Sequence, residues 1–136
     1  MVIGYFAGIA LIPKYISQSK ALALSSLIGL LLTGMALLTE GYPAVLFIAL
    51  LGLANALMWP AIWPLSLDGL GKHLPIASAL LIMAIAGGAL LPLLYGLSAD
   101  IPEIGRQKAY ALLIPCYFFI LYYALWGHKK RKASVS

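Results

Sequence analysis

The residues best equipped for chemistry in an apolar setting lie together, at Asn55-Ala56-Leu57-Met58-Trp59-Pro60-Ala61-Ile62-Trp63-Pro64. The Asn55 amide needs hydrogen-bond partners wherever water is scarce, so it must face another helix or a watery cavity. Trp59 and Trp63 are four apart and share one face of a helix, as do Pro60 and Pro64. Each proline lacks a backbone donor and frees a carbonyl one turn earlier, at Ala56 and at Pro60. An amide, two indole N–H donors and freed carbonyls form a set of groups for holding a small polar molecule, as broken helices do in membrane cavities. Indole faces also suit the apolar C–H face of a sugar ring. The competing reading makes the tryptophans interfacial anchors, but Trp59 lies about 12 Å from the end of its apolar run at Leu67, deep for an anchor.

The elements that carry this stretch follow from composition. Of the 136 residues, 63% are hydrophobic and 10% charged, against about 45–50% and about 25% in soluble domains. So few charges cannot cover a water-exposed surface, which excludes a soluble globular protein and makes lipid the solvent. Uncharged runs occupy 2–13, 21–39, 41–67, 74–99 and 109–127. A helix needs about 20 apolar residues to cross a hydrocarbon core of about 30 Å. Four runs qualify, giving expected spans at 21–39, 43–67, 74–99 and 109–127. Membrane barrel strands are shorter and alternate in polarity, and these runs do not.

The first run, Val2 to Pro13, rises only about 18 Å as a helix and counts as a partial span. Its cations, Lys14 and Lys20, follow rather than precede it, unlike those of a signal peptide, so it reads as the end of a longer helix. The expected fold is an all-α, polytopic transmembrane helix bundle over 1–128 followed by a basic tail at 129–136.

Loop charges orient that bundle. Lys14, Lys20, Lys72, Lys129, Lys130, Arg131 and Lys132 fall on one side, and Arg106 and Lys108 on the other, where Glu40, Asp100 and Glu103 dilute them. The positive-inside rule then puts 14–20, 68–73 and the C-terminus in the cytoplasm. The cationic tail beside a span suits a membrane flank, not a nucleic-acid partner. Aromatic residues such as Tyr42 and Trp126, and most of those in 109–127, read as lipid-facing anchors.

Small residues should mark helix contacts, because lipid tails are as apolar as leucine. They occur at Gly4 and Gly8, at Ser25 and Gly29, and at Ala84 and Gly88. Gly87 and Gly88 ahead of Pro92 also form a candidate bend, with Pro60 and Pro64 a second. No Asp, Glu, Lys or Arg lies near the centre of a full span, so this stretch holds no proton relay of its own. His73 and His128 sit at span ends, and Cys116 is the single cysteine. Neither a metal site nor a catalytic nucleophile with its base is indicated, so no enzyme activity, metal or cofactor is expected.

Met58-Trp59-Pro60-Ala61-Ile62-Trp63-Pro64-Leu65-Ser66-Leu67-Asp68-Gly69-Leu70-Gly71-Lys72, then Ser78 to Met83 with Ala86 to Ala89, then Pro92 to Asp100, resemble the C-terminal half of the fucose/galactose/glucose:proton symporters of the major facilitator superfamily. The resemblance is collinear over nearly the whole chain. It implies a twelve-helix transporter of two six-helix halves in the inner membrane, moving sugar with a proton by alternating access. This chain would supply the end of the eighth helix and all of helices nine to twelve, and the missing N-terminal half would carry the coupling carboxylates. The resemblance further implies that the run holding Asn55, Met58, Trp59 and Trp63 lines the sugar site. Met58 stands where the fucose member has a polar amide, which leans the reading toward glucose or galactose. The alternative is a complete small membrane protein acting as an oligomeric channel or adaptor through its small-residue faces.

Overall fold

The computed structural model describes residues 2, 5, 6, 12 and 14–127. The partial span 2–13 lies mostly outside the described residues, as do Gly4 and Gly8, and His128 with the tail at 129–136 lies wholly outside them. No strand occurs among the described residues. The helices are α1 (Gln18–Leu38), α2 (Tyr42–Leu67), α3 (Leu74–Ile85), α4 (Gly87–Ala99), α5 (Gly105–Lys108) and α6 (Leu113–Tyr122). A 3₁₀ turn at Gly71–His73 leads into α3, another at Ala109–Leu112 joins α5 to α6, and a π turn at Tyr123–Gly127 ends the series. They make four stretches long and apolar enough to cross a membrane: Gln18–Leu38, Tyr42–Leu67, Gly71–Ala99 and Gly105–Gly127.

Three of these stretches start three or four residues before their uncharged runs, because a charge at a membrane surface does not stop a helix. Ser17 caps α1 by accepting the backbone N–H of Lys20, and so draws that lysine inside the first turn. Arg106 and Lys108 likewise lie within α5. The turn between α1 and α2 runs through Gly41 at φ +69°, a conformation glycine adopts at no steric cost. Pro43 follows in the first turn of α2, where its missing N–H is harmless.

α1 is the hub. Its buried residues are Ala21, Leu22, Ser25, Ser26, Gly29, Thr33 and Ala36, a three-four spacing that lays one mostly small-residue stripe against its neighbours. α2 answers with Ala44, Leu51, Ala54, Ala56, Ala61 and Leu65, and the fourth stretch with Ala109, Tyr117 and Ala124. A buried cluster at one end joins Ile12, Ala21, Leu22, Ala61, Leu65 and Ala124. Polar contacts tie both ends of this trio. Gln107 Nε2 donates to the carbonyls of Ala36, at 2.8 Å, and Thr39, closing the C-terminal end of α1. At the opposite end, Ser19 Oγ donates to the Ala124 carbonyl at 2.6 Å, within the π turn.

The third stretch behaves differently. It contributes no buried residue, and Ala84 and Gly88, expected to mark a helix contact, are both exposed. A Cβ added at Gly88 would meet nothing within 4 Å. No helix among the described residues packs on that face.

Among the described residues, Ser25 Oγ is the one buried side-chain polar atom without a hydrogen-bond partner. Its neighbours in the stripe are satisfied, Ser26 donating to the Leu22 carbonyl and Thr33 to that of Gly29, each at 2.8 Å. A buried hydroxyl left unpaired costs about 1–3 kcal/mol. Ser25→Ala is therefore expected to leave thermal stability in detergent unchanged or to raise it, where a small-residue contact that relied on the hydroxyl would lose stability.

Candidate functional site

Asn55, Ala56 and Trp59 of α2, with Val2 and Tyr5 from the N-terminal segment, line a cavity of about 360 Å³. That volume falls within the range of small-molecule pockets. Three of its walls come from α2 because residues 55, 56 and 59 fall on one side of a helix. The Ala56 carbonyl has lost its usual donor to Pro60, so a backbone acceptor accompanies the amide there. Trp59 is 47% exposed, and its ring centroid lies 5.4 Å from that of Trp63 with the planes tilted by 40°. This is a favourable aromatic pairing, and it leaves Trp59 toward the cavity with Trp63 as its support.

The structure thus brings Asn55, Trp59 and Trp63 together and sets Met58 apart. Met58 packs with Ile62 against the buried cluster of Ala61 and Leu65 and does not line the cavity. Position 58 is 100° around the helix from 59, and that turn carries it into the helix interface.

α2 runs unbroken through Pro60 and Pro64. In the third stretch the helical pattern is interrupted at Ala86, immediately before Gly87 and Gly88. There the N–H groups of Ala86 and Ala89 turn to the carbonyls of Met83 and Ala86, each at 3.0 Å, a 3₁₀-like tightening. Pro92 lies inside α4 beyond it.

Tyr117 was hidden among the aromatics of its run. Phe118, Phe119, Tyr122 and Trp126 are exposed, as anchors facing lipid should be, but Tyr117 is only 3% exposed. Its ring lies over Gly29 of α1, and its hydroxyl donates to Asn55 Oδ1 at 2.8 Å. The amide predicted to need either a helix or a cavity has both. Two signals pointed to this residue: a polar group at 55 that required a partner, and a glycine at 29 able to receive a ring.

A second cavity, about 260 Å³, lies between the third and fourth stretches beside Leu91, Pro92, Tyr95, Tyr110 and Leu113. Its tyrosine rings pair at 4.9 Å, and the Tyr95 hydroxyl donates to the Arg106 carbonyl. It offers neither amide nor indole, and so lacks the convergent donors of the first. Among the described residues no cluster of His, Cys, Asp or Glu can hold a metal ion.

No protein-family model matches the chain, and no solved structure does. Curated proteins do. The chain is 38% identical over 128 residues to a glucose/galactose transporter of Brucella abortus, covering 94% of this chain and 30% of the relative. It is 36% identical over 136 residues to a putative glucose/galactose transporter of Helicobacter pylori, covering 98% and 33%. Over 78 residues it is 35% identical to an L-fucose-proton symporter of Haemophilus influenzae, covering 56% and 18%. The chain spans about a third of the length of the glucose/galactose relatives it matches.

Proposed function

We propose that this chain, which belongs to the fucose/galactose/glucose:proton symporter family of the major facilitator superfamily, forms the C-terminal part of a transporter that carries a hexose with a proton. The observation that carries this reading is the cavity on α2, where an amide, an exposed indole and a proline-freed carbonyl converge without any charge. Hexoses are neutral, rich in hydroxyls and have an apolar C–H face, and they match such a lining. Asn55 meets a hydroxyl, Trp59 stacks on the ring, and Trp63 braces Trp59. Met58 has no part in the contact. The names of the more similar relatives favour glucose or galactose over fucose.

In this reading the protein sits in the inner membrane with 14–20, 68–73 and the C-terminus in the cytoplasm, an orientation the loop charges support. The rest of the transporter supplies the opposite cavity wall and the coupling carboxylate, since the described spans hold no central charge. Alternating access moves the two walls about the sugar. Bending at Gly87, Gly88 and Pro92, beside the tightened turn at Ala86, and at Pro60 and Pro64 gives the helices that freedom.

The test is uptake by the intact protein in proteoliposomes. An inward proton gradient should drive accumulation of labelled glucose or galactose, and collapse of the gradient should abolish it. A well-folded protein that accumulates neither of these nor fucose overturns the reading.

A further inference from the structure

We propose that Tyr117 is a positioning residue that turns the Asn55 amide so that the cavity meets its N–H donors and not its carbonyl oxygen. This rests on the sugar-transport reading and specifies how a hydroxyl would be recognised there. The Tyr117 hydroxyl donates to Asn55 Oδ1 at 2.8 Å, which occupies the acceptor end of the amide. A buried phenol hydrogen needs an acceptor, and a neutral amide has one, its oxygen. The amide nitrogen has no protein partner among the described residues, yet it is not among their buried unpaired atoms, so it is open to the cavity that Asn55 lines. Tyr117 itself cannot drift. It is 3% exposed, and its ring is held against Gly29, where an added Cβ would lie 2.7 Å from the ring carbon Cζ.

An amide fixed in this way discriminates. It donates to a lone pair of the ligand and accepts nothing from it, so the sugar oxygen it meets is read as an acceptor. Fluorine keeps a lone pair and cannot donate, whereas hydrogen does neither. A fluoro sugar should therefore outcompete the matching deoxy sugar at the one ring position that faces Asn55.

The experiment uses the intact protein in proteoliposomes, with labelled glucose and galactose competed by the corresponding deoxy and fluorodeoxy sugars. Wild type should show one position at which the fluoro analogue competes better. Tyr117→Phe keeps the ring on Gly29 and frees the amide to rotate. It should raise KM about threefold to tenfold, the worth of a typical hydrogen bond, leave kcat nearly unchanged and erase the fluoro preference. Asn55→Leu should raise KM at least as far, and adding Tyr117→Phe to it should change nothing further. A merely structural tyrosine would lower the amount of folded protein and leave the analogue profile intact. If Tyr117→Phe keeps both KM and that profile, the positioning role is overturned and sugar transport stands. A folded wild type that takes up no sugar overturns both.

Discussion

Trp59→Ala in the intact transporter is expected to raise the apparent KM for its sugar about tenfold to a hundredfold, equivalent to about 1.4–2.8 kcal/mol. The size follows from what the indole does. It is 47% exposed and lines the cavity beside Val2, Tyr5, Asn55 and Ala56, so it offers the largest ring there to the C–H face of a ligand. Stability should change little, because Trp59 is half exposed and stands outside the buried cluster. Trp59→Phe should recover part of the affinity, keeping a ring to stack and losing the N–H donor. Direct binding by isothermal calorimetry in detergent would separate affinity from turnover. An unchanged affinity in the alanine variant would remove Trp59 from the site. Trp63→Ala should have a smaller effect, since it acts through its partner ring at 5.4 Å.

The second large effect is expected at Gly29, for a different reason. An added Cβ there falls within 2.7 Å of Tyr117 Cζ and also close to Cε1, and both belong to a ring that is 3% exposed. A side chain packed that tightly cannot swing aside freely, so Gly29→Ala should cost about 1–3 kcal/mol, the usual penalty of overfilling a close-packed interface. It should also displace the hydroxyl that holds Asn55, and so weaken sugar binding from a site that touches no sugar. Thermal unfolding in detergent reads the first effect and calorimetry the second. Tyr117→Leu placed on Gly29→Ala should restore much of the stability by removing the ring, but it should not restore affinity. Recovery of both would show that the clash, and not the hydrogen bond, sets binding.

The sequence made part of this legible for physical reasons. Spans 21–39, 43–67, 74–99 and 109–127 could be read because uninterrupted apolarity has one meaning in lipid, and the structure places helices over all four. Their ends could not, since a lysine such as Lys20 enters the first turn of a capped helix without reaching the hydrocarbon. Asn55 advertised its need for a partner, but the identity of that partner is a property of two helices 62 residues apart in sequence. Six aromatics between 117 and 126 give no single helical face, so nothing local distinguishes the buried Tyr117 from the exposed Phe118. Met58 next to Trp59 illustrates the converse. Neighbours in sequence diverge by 100° on a helix, and the expectation that both line one cavity fails at that step.

The bare third stretch, Gly71–Ala99, bears on how the protein is made. It matches α1 in mean hydropathy, at 2.2, yet buries none of its residues against the other three stretches. Entry into the bilayer depends on the transfer of each helix from water, and assembly depends on contacts formed afterwards. Here the two stages are unequal within one chain: α1, α2 and the Gly105–Gly127 stretch bury residues against one another, while Gly71–Ala99 meets the fourth stretch through the Tyr95–Tyr110 ring pair and the Tyr95 hydrogen bond to the Arg106 carbonyl and buries none. The partitioning of its own apolar side chains is thus the larger part of what would hold Gly71–Ala99 in a bilayer, with the tyrosine contacts a smaller one.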